Sequence, residues 1–164
     1  MRRSHLRPRV VFDCNVLIQA VASSDGPAGE SLGLLERNLI HVYLSRAVLR
    51  ELRDALNYPT VRASLPDLTD ERITVFIQQL VFKAEFLRTP RHIFDYPRVR
   101  QDERYIDLAA AAQADYLVSH DKDLLSLATD HTLLGKQFRQ KLRRLRVVKP
   151  TAFLAALKSD EIID

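Results

Sequence analysis

Acidic residues recur in this chain at the points where apolar runs end. Asp13 follows Val10, Val11 and Phe12, and Asp121 follows Tyr116, Leu117 and Val118. Glu51 lies roughly two helical turns into the segment after Ser45, and Asp102 with Glu103 opens an alanine-rich stretch. Carboxylates brought within a few ångströms of one another repel and raise each other's pKa, so a cluster is tolerated chiefly where a divalent cation neutralises it. Oxygen-only ligands favour Mg²⁺ or Mn²⁺, hard ions that keep part of their water shell. At a phosphodiester, such an ion binds a non-bridging oxygen, activates water and offsets charge in the transition state, so the chemistry implied is phosphodiester hydrolysis. Each acid also has a plainer reading as a helix cap or a solvated charge. With 21 acidic residues in the chain, spacing alone leaves the two readings open.

The elements that must position these acids read as alternating strands and helices. The apolar run before Asp13 gives way to helical spacing in Val16, Leu17, Ile18 and Val21, so Asp13 is expected at the carboxyl end of a buried strand. Pro27 is suited to a first helical position. Ile40, Val42 and Leu44 alternate as a strand ending at Ser45, which is an N-cap for a helix with Val48, Leu49, Leu52 and Leu56 on its apolar face. Residues 57–67 read as a turn, with Pro59 and Pro66 as stops. Thr69 opens a long helix, 85–88 a short strand, and 89–101 a loop that delivers the chain to Asp102. Val147 and Val148 make a last strand before a helix that begins at Pro150. This alternation predicts an α/β fold, a mostly parallel sheet between helical layers, whose strand carboxyl ends gather ligands.

At 164 residues and 46% hydrophobic content the chain is expected to be one domain with a substantial core. A single cysteine, Cys14, excludes an internal disulfide and fits a reducing compartment. No neighbouring histidine activates it as a nucleophile. His5, His41, His92, His120 and His131 show no metal-ligand spacing. No apolar run approaches a membrane span, so the expectation is a soluble cytoplasmic protein. The net charge of +4 permits a polyanionic partner without requiring one. Residues 136–149 hold seven lysines and arginines and no acid. They form either an amphipathic helix with a solvated face or a phosphate-tracking surface on which Arg139, Lys141, Arg143 and Arg144 contact RNA. Arg2, Arg3, Arg7 and Arg9 either add to that surface or are simply a loose chain end.

VVFDCNVLI, LSRAVLREL, RQDERYIDLAAAAQADYLVSHDKDLL and VVKPTAFL together resemble the PIN domain, in particular the toxin components of toxin–antitoxin systems related to VapC-like ribonucleases. The resemblance spans about residues 8–157. It implies a three-layer α/β/α fold and a Mg²⁺- or Mn²⁺-dependent endoribonuclease, often a homodimer, held inactive by a protein antitoxin. Asp13, Glu51 and Asp121 match the family's metal-binding acids, with Asn15 and Ser119 as supporting residues and Asp123 as an auxiliary acid. The third acid is Asp102 or Glu103: an interval of 18 positions back from Asp121 lands on Glu103, whereas an aspartate is the usual residue of this pair. Cys14 departs from the common threonine, and the basic stretch is longer than the family pattern.

Two other functions compete. A phosphotransfer enzyme would use Asp13 as phosphoryl acceptor, but Asp13-Cys14-Asn15 lacks the second aspartate of an Asp-x-Asp site. A non-catalytic RNA- or protein-binding module would keep the fold without the chemistry.

Overall fold

Local chemistry sets where each element begins. The computed structural model of this protein describes residues 6–88, 90–96 and 100–164; Arg2, Arg3 and His5, and part of the loop expected over 89–101, lie outside them. Strand β1 (Arg9–Phe12) runs into helix α1 (Cys14–Ala22), with Asp13 as the N-cap. Helix α2 (Pro27–Glu36) starts on its proline, where the absent N–H would have had no helical partner in any case. Strand β2 (His41–Ser45) leads into α3 (Arg46–Asn57), where the Ser45 hydroxyl accepts the Val48 N–H at 3.2 Å. Val48, Leu52 and Leu56 recur four apart and are fully buried, each contributing roughly 1.5–3 kcal/mol of transfer free energy.

The stretch read as a turn contains a helix, α4 (Pro59–Ser64). Pro59 ends α3 and in the same step opens α4, because its fixed φ suits a first helical turn as well as a stop. Thr69 caps α5 (Asp70–Lys83), β3 (Glu85–Leu87) follows, and a 3₁₀ turn (Arg100–Asp102) leads into α6 (Glu103–Ala111). The chain closes with β4 (Tyr116–Val118), α7 (Lys122–Leu127), α8 (Leu133–Lys141), β5 (Arg146–Val148) and α9 (Pro150–Ser159).

The five strands form one all-parallel sheet in the order β3-β2-β1-β4-β5. Val10 pairs with Tyr116 and Phe12 with Val118. Phe12 and Tyr116 share a face and meet the Phe153 ring of α9 edge-on, at 6.1 and 5.1 Å between centroids. Val11 and Leu117 point the other way, toward the layer of α3 and α6, and both are fully buried. The fold is thus the expected α/β sandwich with a parallel sheet. From β1 the chain first winds outward to β2 and β3, then returns to add β4 and β5 on the other side. The winding reverses between β1 and β4, and that crevice is where an open parallel sheet leaves room for a ligand. Among the described residues no helix is long and apolar enough to cross a membrane.

Candidate metal centre

Asp13 and Asp121 stand at the carboxyl ends of the two strands that flank the crevice. The Asp13 N–H donates to Val118 O at 2.9 Å, which fixes the end of β1 beside the end of β4. Its carbonyl receives the first amides of α1, from Val16 and Leu17. Its carboxylate, 5% exposed, accepts the Asn15 N–H at 3.4 Å and the Ser119 hydroxyl at 2.7 Å. Ser119, fully buried, in turn accepts the Asp121 N–H at 2.9 Å. The Asp121 Oδ1 caps α7 by accepting from Asp123 and Leu124 at 2.8 and 3.1 Å. One serine therefore couples the two aspartates through a side-chain bond and a backbone bond.

Glu51 reaches the same region from α3. Its Oε2 accepts the Tyr105 hydroxyl at 2.7 Å and Arg104 Nη1 at 3.2 Å, and the Tyr105 oxygen also accepts the Cys14 N–H at 3.1 Å. Asp102 enters at the head of α6. Although it occupies the N-cap position, its side chain makes no cap hydrogen bond. Asp102 is 8% exposed, and its buried Oδ2 meets no hydrogen-bond partner among the described residues.

Electrostatics agrees with this convergence. Burial pushes the Asp102 carboxyl up to about 7, with the negative charges of Asp121, Asp13, Glu51 and Asp123 adding to the shift. Asp13 is raised as well, by burial first and by Glu51 and Asp121 in part, against the Ser119 and Asn15 hydrogen bonds that favour its ionised form. Asp102, at the head of α6, and Asp13, at the end of β1, thus both feel the charges of Glu51 on α3 and Asp121 at the end of β4, with Asp123 at the margin. A buried carboxylate oxygen without a donor, inside an all-oxygen set of like charges, fits a hard divalent cation such as Mg²⁺ or Mn²⁺.

Glu103, expected from its spacing to Asp121 as a metal ligand, is turned elsewhere. Its Oε1 accepts the Tyr96 N–H at 2.8 Å, and its Oε2 lies 4.0 Å from His92 Nε2. Consecutive residues at a helix start point about 100° apart, so one acid of the pair faces the crevice and the other the outer surface. The outer acid joins a second group. His92 is held between Asp95 and Asp107 at 2.8 Å each, and His92, Asp95 and Glu103 offer ligand atoms within 4.8 Å of one another, a spacing that admits an ion. Hydrogen bonds to Asp95 and Asp107 raise this imidazole to about 9, so at neutral pH its own positive charge already serves those carboxylates. His120, next to Asp121, is exposed.

The four basic residues expected to track RNA are not one strip beside the carboxylates. Arg139 donates to the carbonyls of Leu127 and Asp130, and Lys141 to that of Ile93. Arg144 pairs with Asp115 at 2.9 Å, next to the start of β4 and therefore at the end of the sheet opposite Asp121. There it lines a polar cleft of about 560 Å³ with Arg7, Arg9 and Arg146. Arg143 is exposed. The basic residues are neighbours in sequence, but α8 and the turn into β5 carry them from one end of the sheet towards the other.

Arg104 and Tyr105 were not singled out from sequence. The available signal was a hydroxyl on the apolar face of α6, one turn after Asp102, where an all-carbon side chain would fill the core. Cys14 is buried and its thiol is pushed up to about 12 by burial first, which makes it an inert core group.

Residues 9–123, most of the chain, match a family model described as PIN domain. The chain is also 27% identical over 129 residues, covering 79% of its length and 81% of the relative's, to the uncharacterized protein MJ1680 of Methanocaldococcus jannaschii.

Proposed function

We propose, for a chain that belongs to the PIN domain family, that its carboxylate crevice is the centre of a Mg²⁺- or Mn²⁺-dependent endoribonuclease. PIN domains are generally nucleases that use divalent metal ions, and this chain has that nuclease-type fold. The single observation that carries the reading is Asp102: a buried carboxylate with one unpartnered oxygen, held among the charges of Asp13, Glu51 and Asp121. Folding such an acid beside three others without a counter-ion is costly, and a cation bound there removes the cost.

Asp13, Glu51, Asp102 and Asp121 would hold the ion. When bound, it supplies Lewis-acid polarisation of a phosphate oxygen and a more acidic water. The chain's own residues do the rest. Ser119 fixes the Asp13 carboxylate and the backbone of Asp121 together, so two of the ligands are set before any ion arrives. Tyr105 and Arg104 occupy Glu51 Oε2. Asp123 lies within electrostatic reach of Asp102, at the margin of the site.

The test is cleavage of RNA by purified protein. With Mn²⁺ the wild type is expected to cut, and Asp13→Asn or Asp121→Asn to lose at least about a thousandfold in rate, in line with the large share of such barriers that metal-held charge supplies, while far-ultraviolet circular dichroism stays unchanged. Undiminished activity in EDTA overturns the metal mechanism. The narrower role of a toxin, with a protein antitoxin and a homodimeric assembly, belongs to the same proposal. It predicts growth arrest on expression of the wild type and none with Asp13→Asn.

A further inference from the structure

We propose that Tyr105 is a positioning residue of this centre, its buried hydroxyl holding Glu51 and the backbone beside Asp13 in the geometry that takes up the ion; the inference rests on the metal-dependent reading above. Tyr105 is 1% exposed on α6, which packs beside α3 and against the sheet. A phenylalanine would fill that volume equally well, and burying an extra hydroxyl costs free energy unless it is bonded. Both of its bonds go to segments that carry acids. A phenol has one proton to give, and it goes to Glu51 Oε2 at 2.7 Å; the oxygen accepts the Cys14 N–H at 3.1 Å.

That amide opens α1, one residue after Asp13, and is among the helix N-terminal N–H groups without a partner inside the helix. Tyr105 itself lies one turn after Asp102 on α6. One oxygen atom therefore ties together α1, α3 and α6, the three helices adjoining Asp13, Glu51 and Asp102. Arg104 also donates to Glu51 Oε2, but its side chain is 35% exposed, whereas the tyrosine ring is buried in the packed core. With Oε2 taken from the inside, Glu51 is left to present Oε1.

The experiment compares wild type, Tyr105→Phe and, as a control, Tyr116→Phe, whose hydroxyl accepts Arg146 at the opposite end of the sheet. Mn²⁺ affinity is read by calorimetry, and the Mn²⁺ dependence of RNA cleavage is split into apparent KM and kcat. Y105F is expected to raise the Mn²⁺ Kd and the apparent metal KM by about 10–100-fold, the usual cost of losing a partner behind a metal ligand. Its kcat is expected to recover toward wild type at saturating Mn²⁺, and Y116F to leave the metal KM in place. A purely structural role would lower thermal stability without that split. In a Glu51→Ala background the Tyr105→Phe change is expected to add less than it does in the wild type, since only the bond to the Cys14 N–H is then left to lose. Unchanged Mn²⁺ affinity in Y105F, or a full additional loss in the E51A background, overturns the inference alone. A wild type that binds no Mn²⁺ overturns the metal reading and this inference with it.

Discussion

On the proposed metal-dependent reading, Asp102 is the residue at which folding and metal uptake oppose each other. Its carboxyl moves from 3.8 in the unfolded chain to about 7 in the fold. Between those values the folded state holds a proton that the unfolded state has released, so the metal-free protein loses stability as pH rises through this window and is flat above it. Removing the charge should remove the penalty. Asp102→Asn is therefore expected to melt above the wild type at pH 8 in EDTA and close to it at pH 4. Each kcal/mol is worth about 2–4 °C in a chain of this size. Mn²⁺ should raise the wild-type melting temperature at pH 8 and leave the variant where it was. Differential scanning calorimetry with and without Mn²⁺ checks both halves. A variant less stable than wild type at pH 8 without metal would show that Asp102 is a structural group.

At the scale of elements, the candidate centre depends on how closely helices approach the segments that carry its acids. Helix α2 packs on α1, whose first residue follows Asp13, and a Cβ at position 29 in place of the Gly29 hydrogen would overlap the carbonyl oxygen of Ser23 just after α1. Backbone atoms cannot yield as a flexible side chain does. Gly29→Ala is expected to cost about 1–3 kcal/mol by overpacking. Gly33, one turn later on the same helix, faces open space, with nothing within 4 Å of where a Cβ would stand. Gly33→Ala should therefore stabilise by about 0.4–1 kcal/mol through the unfolded chain's lost freedom. Urea midpoints of the two variants, moving in opposite directions, test the packing directly. Helix α6 is fastened from its outer side, where the Asp107 carboxylate accepts Ile93 N–H at 3.0 Å and holds His92, while Phe94 packs edge-on against Phe138 of α8 at 5.5 Å. These contacts fix the helix that presents Asp102.

At the scale of the whole molecule, the two ends of the sheet carry different groups, although Glu85, Asp115 and Asp160 sit among the arginines at the amino ends. Carboxylates gather at the carboxyl ends of β1 and β4, and arginines line the cleft at the amino ends, within a net charge of +4. A bound divalent ion would offset part of the negative charge of the first region, and the second lies at the other end of the strands, away from the crevice. Arg144 is already paired with Asp115, so its charge is largely spent, whereas Arg143 is exposed. Arg143→Ala is expected to lower the log–log salt slope of RNA binding by about one phosphate contact and Arg144→Ala by clearly less. Fluorescence anisotropy over a salt series makes the comparison.

Much of this protein is determined by residue order. Apolar runs that stop at Asp13 and Asp121, caps such as Ser45 and Thr69, and prolines that open helices are local signals, and local energetics places the same elements in the fold. Pro59 shows the limit, because one proline serves equally to end a helix and to begin the next. The tertiary structure decided what depends on direction and distance. It turned Asp102 inward and Glu103 outward, took Arg144 to the far end of the sheet, and set the Tyr105 hydroxyl between Glu51 and the start of α1. The interval between two acids along the chain carries no information on which member of an acidic pair faces the crevice or which sheet end a loop reaches; packing against the remaining elements fixes both.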